Sequence, residues 1–124
     1  MIVKQVTVTV ENKEGKLKEV MDILAAEGIN VIALSMADTV TRLIVKDPEG
    51  TMELLKNHGY EVHLTDVIRI VVPSQSGSLA KMLVEIAEEK INLEYMYALA
   101  TEPGMIIRPS NVERTNEILS KWEA

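Results

Sequence analysis

The chain has 124 residues, 47% apolar and 26% charged, with 6 glycines and 4 prolines, the balance of a globular protein and not of a disordered or fibrous one. Its formal net charge is −6, with seven basic and ten acidic residues up to Thr65 and six and nine from Asp66 on, so neither half has the positive footprint that nucleic acid or an acidic membrane attracts. The absence of cysteine excludes disulfides and thiolate chemistry, and no apolar run approaches the roughly 18 residues of a spanning helix or forms a signal peptide, so the expected compartment is the cytoplasm.

Alternation of Val6, Val8 and Val10 predicts a first strand with one buried face. Leu17, Val20, Met21, Leu24 and Ala25 follow at helical spacing, a stripe that Gly28 terminates. Ile29 to Met36 reads as a strand, with Leu43 to Val45 a shorter one. Asp47-Pro48 opens a helix carrying Met52, Leu54 and Leu55, which ends at His58-Gly59. Tyr60 to Leu64 returns as a strand and can run on to Pro73, since only Thr65-Asp66 interrupts its β-rich character.

The pattern then starts again. Gln5 to Leu17 lines up with Val67 to Leu79 at an offset of 62 residues, and the same offset pairs Gly15 with Gly77, Ile29-Asn30 with Ile91-Asn92 and Ile44 with Ile106. Past residue 108 the correspondence slips by about two positions. Ile68, Ile70 and Val72 alternate; Leu79, Met82, Leu83, Ile86 and Ala87 form the helical stripe; Ile91 to Leu99 and Met105 to Ile107 read as strands; and Asn111 to Trp122 supplies a second helix. The first copy is β-α-β-β-α-β, and the second stops before its last strand. The predicted class is α+β: two ferredoxin-like units, residues 1–66 and 67–124, with antiparallel sheets and the helices on one face. Met21, Met36, Met52, Met82, Met96 and Met105 occupy apolar periods and are expected to fill the core. Glu85, Glu88 and Glu89 read as a solvated helix face.

Two turns could carry chemistry. Asn12 to Leu17 and Ser74 to Leu79 each place a glycine between a strand and a helix, where the N–H groups of a helix start attract anions. A purely structural use of Gly15 and Gly77, to permit a positive φ, stands beside that reading. Asn30 and Asn92, each read as one residue into a strand, could hold a ligand or satisfy neighbouring backbone. His58 and His63 lack a second ligand at suitable spacing, and no nucleophile with its base can be assembled around Ser74, Ser76 or Ser78. No catalytic residue, metal or cofactor is expected.

Val-Glu-Asn-Lys-Glu-Gly-Lys-Leu at 10–17, followed by the striped helix and Gly-Ile-Asn-Val at 28–31, resembles the ACT domain, and Gly77-Ser-Leu with Ile91-Asn-Leu resembles a second. Ile91 to Ala98 and Ile107 to Asn111 are similar to stand-alone tandem ACT proteins, and the first copy is similar to the regulatory subunits of acetolactate synthase. The resemblance implies a sheet ordered 4-1-3-2 and a small amino acid bound where one domain's first loop meets the partner's second strand. Carried over, the ligand-binding positions are Asn12, Gly15, Leu17, Asn30 and Val31 in the first copy, and Ser76, Gly77, Leu79, Asn92 and Leu93 in the second.

The function expected is that of a non-catalytic regulator or sensor of a small amino acid or related carboxylate, bound at the interface between repeats. The alternative is a ligand-free module that oligomerises or docks on a metabolic enzyme by its sheet edges; the resemblance implies an aspartate-proline near the loop glycine of amino-acid-responsive members, and here Lys13-Glu14 and Gln75-Ser76 stand there instead. Because the second copy lacks a closing strand, Val67 to Val72 is expected to have an open edge, to be covered by Tyr60 to Leu64, by a sheet continuous with the first unit or by the equivalent strand of a second chain; the last, a homodimer, is the expectation, with Trp122 packed nearby.

Overall fold

The computed structural model describes residues 1–122. The elements are β1 (Ile2–Thr9), α1 (Lys16–Ala26), β2 (Ala33–Ala37), β3 (Val40–Ile44), α2 (Pro48–Asn57), β4 (Glu61–Ile70), α3 (Ser78–Glu88), β5 (Leu93–Ala98), β6 (Met105–Pro109) and α4 (Val112–Ile118), followed by a 3-10 turn at Ser120–Trp122. They form two ferredoxin-like β-α-β repeats with antiparallel strand pairing. By packing, the chain divides into an N-terminal unit, Lys4–Thr65, and a C-terminal unit made of Met1–Val3 with everything from Asp66 on.

In the N-terminal unit the strands lie in the order β2-β3-β1-β4, the 4-1-3-2 arrangement of a split β-α-β pair. Val6 pairs with Leu43 and Val8 with Thr41. The alternation of β1 puts Val6, Val8 and Val10 into a core with Val20, Leu24, Leu43, Leu55 and Val62. α1 starts at Gly15, whose φ of 78° is left-handed. It ends in two reverse bonds, Ile29 N–H to the Leu24 carbonyl at 3.0 Å and Gly28 N–H to that of Ala25 at 3.0 Å. α2 is capped by Asp47, whose carboxylate accepts from the Gly50 N–H at 3.1 Å, with Pro48 in its first turn.

The C-terminal unit repeats this frame: Gly77 opens α3 at φ 86° and Asn111 caps α4 by accepting from the Arg114 N–H at 3.1 Å. Its core gathers Ile68, Ile70, Val72, Met82, Ile86, Ile107 and Leu119. β6 pairs with β4 on one side and β5 on the other.

The structure corrects several details of the sequence reading. Asn30 and Asn92 precede their strands: β2 begins at Ala33, where it meets Ile44, because the helix-ending bonds occupy the chain up to Ile29, and β5 begins at Leu93. Met36 is 48% exposed, not core, since β2 is an outer strand. Glu85 is no bystander on a solvated face: it accepts from Trp122 Nε1 at 3.1 Å and pairs with Lys121. The edge of the Val67–Val72 segment is also not open at Arg69. There the N-terminal ammonium of Met1 donates to the Arg69 carbonyl at 3.2 Å, and the Arg69 N–H returns a bond to the Met1 carbonyl at 2.8 Å. The Val71 N–H donates to the Trp122 carbonyl at 3.0 Å. Met1–Val3 thus stands where the repeat's fourth strand is missing.

Removing Met1–Val3 would return an unpaired, apolar strand edge to solvent. The expected result is a lower melting temperature and concentration-dependent association, read by thermal unfolding and light scattering. The Lys121 ammonium, then the Trp122 indole, holds the Glu85 carboxyl below the usual carboxylate range. A depressed folded pKa adds stability that is complete above that range and is lost as pH falls through the lowered value. Glu85→Gln should therefore destabilise at neutral pH and flatten the melting-temperature profile on acidification.

Candidate functional site

The two glycine turns are the same structure built twice. In the first, Lys13 N–H donates to the Glu11 carbonyl at 2.9 Å, Lys16 N–H to that of Lys13 at 3.2 Å and Glu19 N–H to that of Gly15 at 3.0 Å. In the second, Gln75 donates to Pro73 at 2.8 Å, Ser78 to Gln75 at 3.2 Å and Lys81 to Gly77 at 2.9 Å. Each bond recurs 62 residues on. Neither glycine offers a side-chain cap, so no side chain of the cap residue satisfies the first-turn N–H groups. No heavy atom lies within 4 Å of where a Cβ would stand at either glycine. Left-handed φ, and not crowding, is what selects glycine here.

Electrostatically the turns differ. Glu11 and Lys13 pair at 3.2 Å in the first, and that partner lowers the Glu11 carboxyl below its ordinary value. Pro73 and Gln75 hold these places in the second.

The predicted ligand positions fall into separate groups. Asn12, Gly15 and Leu17 share the first turn, and Ser76, Gly77 and Leu79 the second. Asn30 and Val31 lie past the far end of α1, and Asn92 and Leu93 past that of α3. Each helix has 11 residues, or about 16 Å at 1.5 Å per residue. Within a unit, the turn and its asparagine are therefore not brought together. Asn92 is held by its own backbone instead: its N–H donates to Ser110 Oγ at 3.1 Å and its carbonyl accepts from Ser110 N–H at 2.8 Å.

A concavity that the sequence reading did not identify lies in the N-terminal unit, where the end of α1 faces the start of α2. It has a volume of about 740 Å³, and Asn30 is the one predicted position on its wall. Glu27, Asp47 and Glu53 give it an acidic excess over Lys46, while Ile29, Ile32 and Leu54 supply apolar surface. Gly50 stands beside it, where a Cβ would meet the Asp47 carboxylate that caps α2 and make that side chain shift. The available sequence signal was Gly50 standing at the helical position that Arg114 holds in the second copy. No group of three or more acidic or histidine side chains arranged to hold a metal occurs among the described residues, and none of their helices is long and apolar enough to cross a membrane.

A family model described as an ACT domain pair matches residues 1–123. A protein of Bacteroides thetaiotaomicron, known from a crystal structure, is 38% identical with a TM-score of 0.90; the match covers 98% of this chain and 88% of that one. The regulatory subunit of aspartate kinase from Thermus thermophilus, in its ligand-free form, shares the fold at 18% identity and a TM-score of 0.64, over 100% of this chain and 95% of that one. E. coli aspartokinase III in complex with lysine and aspartate does so at 18% identity and 0.58, over 98% of this chain and 31% of the enzyme. No curated protein sequence matches significantly.

Gly15→Ala and Gly77→Ala should each cost about 1 kcal/mol, the strain of an L-residue in the left-handed region. Near-equal losses at the two positions in thermal or denaturant unfolding would confirm that the turns are equivalent in backbone energetics.

Proposed function

The chain belongs to the ACT domain pair family, and from that premise we propose that it is a non-catalytic regulator that senses a small amino acid through its two glycine turns. The observation that carries the reading is the duplicated turn, with its matching hydrogen bonds and its helix start without a side-chain cap. Such N–H groups favour a carboxylate, and the positive end of the helix dipole adds to the attraction. Backbone carbonyls beside each turn are the acceptors available for an α-amino group, since Asn30 and Asn92 lie a helix length from the turn of their own unit. The aspartokinase relative crystallised with lysine and aspartate is in keeping with an amino-acid ligand.

A second reading, a module that docks on a copy of itself or on a metabolic enzyme, draws on β2. It is the outer strand of its unit, and Leu34 and Met36 on it are 41% and 48% exposed. An apolar outer strand is a ready template for pairing with another chain. A homodimer formed there is compatible with amino-acid sensing.

Thermal-shift measurements across the twenty amino acids separate the two readings. The sensor reading expects one amino acid, or one chemical class, to stabilise the protein by about 2.7 kcal/mol at a hundred times its dissociation constant. It also expects Gly15→Ala or Gly77→Ala to reduce that shift. If no amino acid raises the melting temperature while an enzyme co-purifies, the docking reading replaces it.

A further inference from the structure

The two units carry the same frame at the helix ends opposite the glycine turns and fill it differently. In the C-terminal unit the Arg114 guanidinium donates to Glu89 at 2.6 Å and to Glu117 at 3.1 Å, tying the end of α3 to α4. Glu89 is the C-cap of α3, as Glu27 is of α1; Asn111 caps α4, as Asp47 caps α2. Matching cap to cap puts Glu27 in the place of Glu89, Glu53 in that of Glu117, Thr51 in that of Thr115 and Gly50 in that of Arg114. The N-terminal unit thus keeps both carboxylates and has no guanidinium between them. Where that guanidinium would lie is the 740 Å³ cavity, with Glu27, Gly50 and Glu53 on its wall; Lys46 on the same wall pairs with neither carboxylate among the described residues.

Two further observations point to a ligand. Glu27 and Glu53 form no ion pair among the described residues. Thr51 lines the cavity and is 2% exposed; its counterpart Thr115 donates to the Asn111 carbonyl at 2.7 Å, whereas the Thr51 hydroxyl makes no hydrogen bond among the described residues. The end of α1 and the start of α2 bring opposite helix poles to the cavity, so the carboxylates of Glu27 and Glu53, and not a helix dipole, set its preference for a cation.

We propose that this cavity binds a small guanidinium compound, whose planar cation takes between Glu27 and Glu53 the place that Arg114 takes between Glu89 and Glu117. A guanidinium fork can serve two carboxylates at once, which a compact ammonium does with less directionality. Ile29, Ile32 and Leu54 would cover an aliphatic tail, and the Thr51 hydroxyl is available to a polar group on it. The volume lies within the roughly 300–1,000 Å³ of small-molecule sites. This site is independent of the glycine turns.

The test is calorimetric titration of the full chain with ethylguanidinium, which has no carboxylate for the turns to bind. Saturable binding is expected, weakened about fivefold by either Glu27→Gln or Glu53→Gln, near the upper limit for one exposed ion pair. Gly50→Arg, which returns a tethered guanidinium to the cavity, should abolish binding, while Gly15→Ala and Gly77→Ala should leave it unchanged. Because Gly50→Arg must displace the Asp47 carboxylate, its fold is checked by circular dichroism, and the two isosteric glutamine variants carry the test if it unfolds. Absence of saturation, an unchanged dissociation constant in both glutamine variants, or equal affinity for ethylammonium would overturn the proposal.

Discussion

The structure depends on β4, the ten-residue strand Glu61–Ile70, because its two ends serve different cores: Val62 and Leu64 pack into that of the N-terminal unit, and Ile68 and Ile70 into that of the C-terminal unit. No glycine or proline interrupts the strand, which suits a segment that must both end one repeat and begin the next.

Much of this was legible because it is periodic and local. The stripes on α1 and α3, the caps Asp47 and Asn111, and the chain reversal at Gly28 follow from side-chain spacing and backbone preference within a few residues. The pairing of Met1 with Arg69 was not legible, because a strand's sequence shows which face is apolar but not which neighbour its N–H and carbonyl groups will meet. The late start of β2 had a related cause: Ile29 has the apolar character of a strand residue, but its N–H is taken by Leu24. The acidic cavity escaped notice because Gly50 is unremarkable by itself. Its meaning comes from the Arg114 counterpart and from the Asp47 carboxylate folded over it, and both are tertiary facts.

The repeats have kept their backbone and diverged in what they hang on it. At the residue after the C-cap, the first copy uses Gly28 at φ 68° and the second uses Lys90 at φ 57°, so the second holds the same reversal with a lysine in a region that L-residues avoid. At the β3–α2 junction the first copy has Lys46 where the second has Ser110, whose hydroxyl and N–H fasten Asn92. The C-terminal unit therefore knits these loops together with side chains, and the N-terminal unit leaves them parted. Duplication supplied two equal scaffolds, and only one is closed at this end.

The bond between Met1 and Arg69 spans 68 residues of sequence, and it reverses the order in which the parts of the molecule become available. During synthesis the residues that finish the C-terminal unit emerge first, and the strand they join emerges only after the whole of Lys4–Thr65 has been made. The N-terminal unit can assemble from contacts within its own span, and because Met1–Val3 leads into β1, which lies beside β4 in that unit, its assembly delivers these residues to the strand they complete. Until that happens β4 carries an exposed ladder at its growing end, and the nascent chain at that stage is most vulnerable to accepting the same three residues from a neighbouring polypeptide.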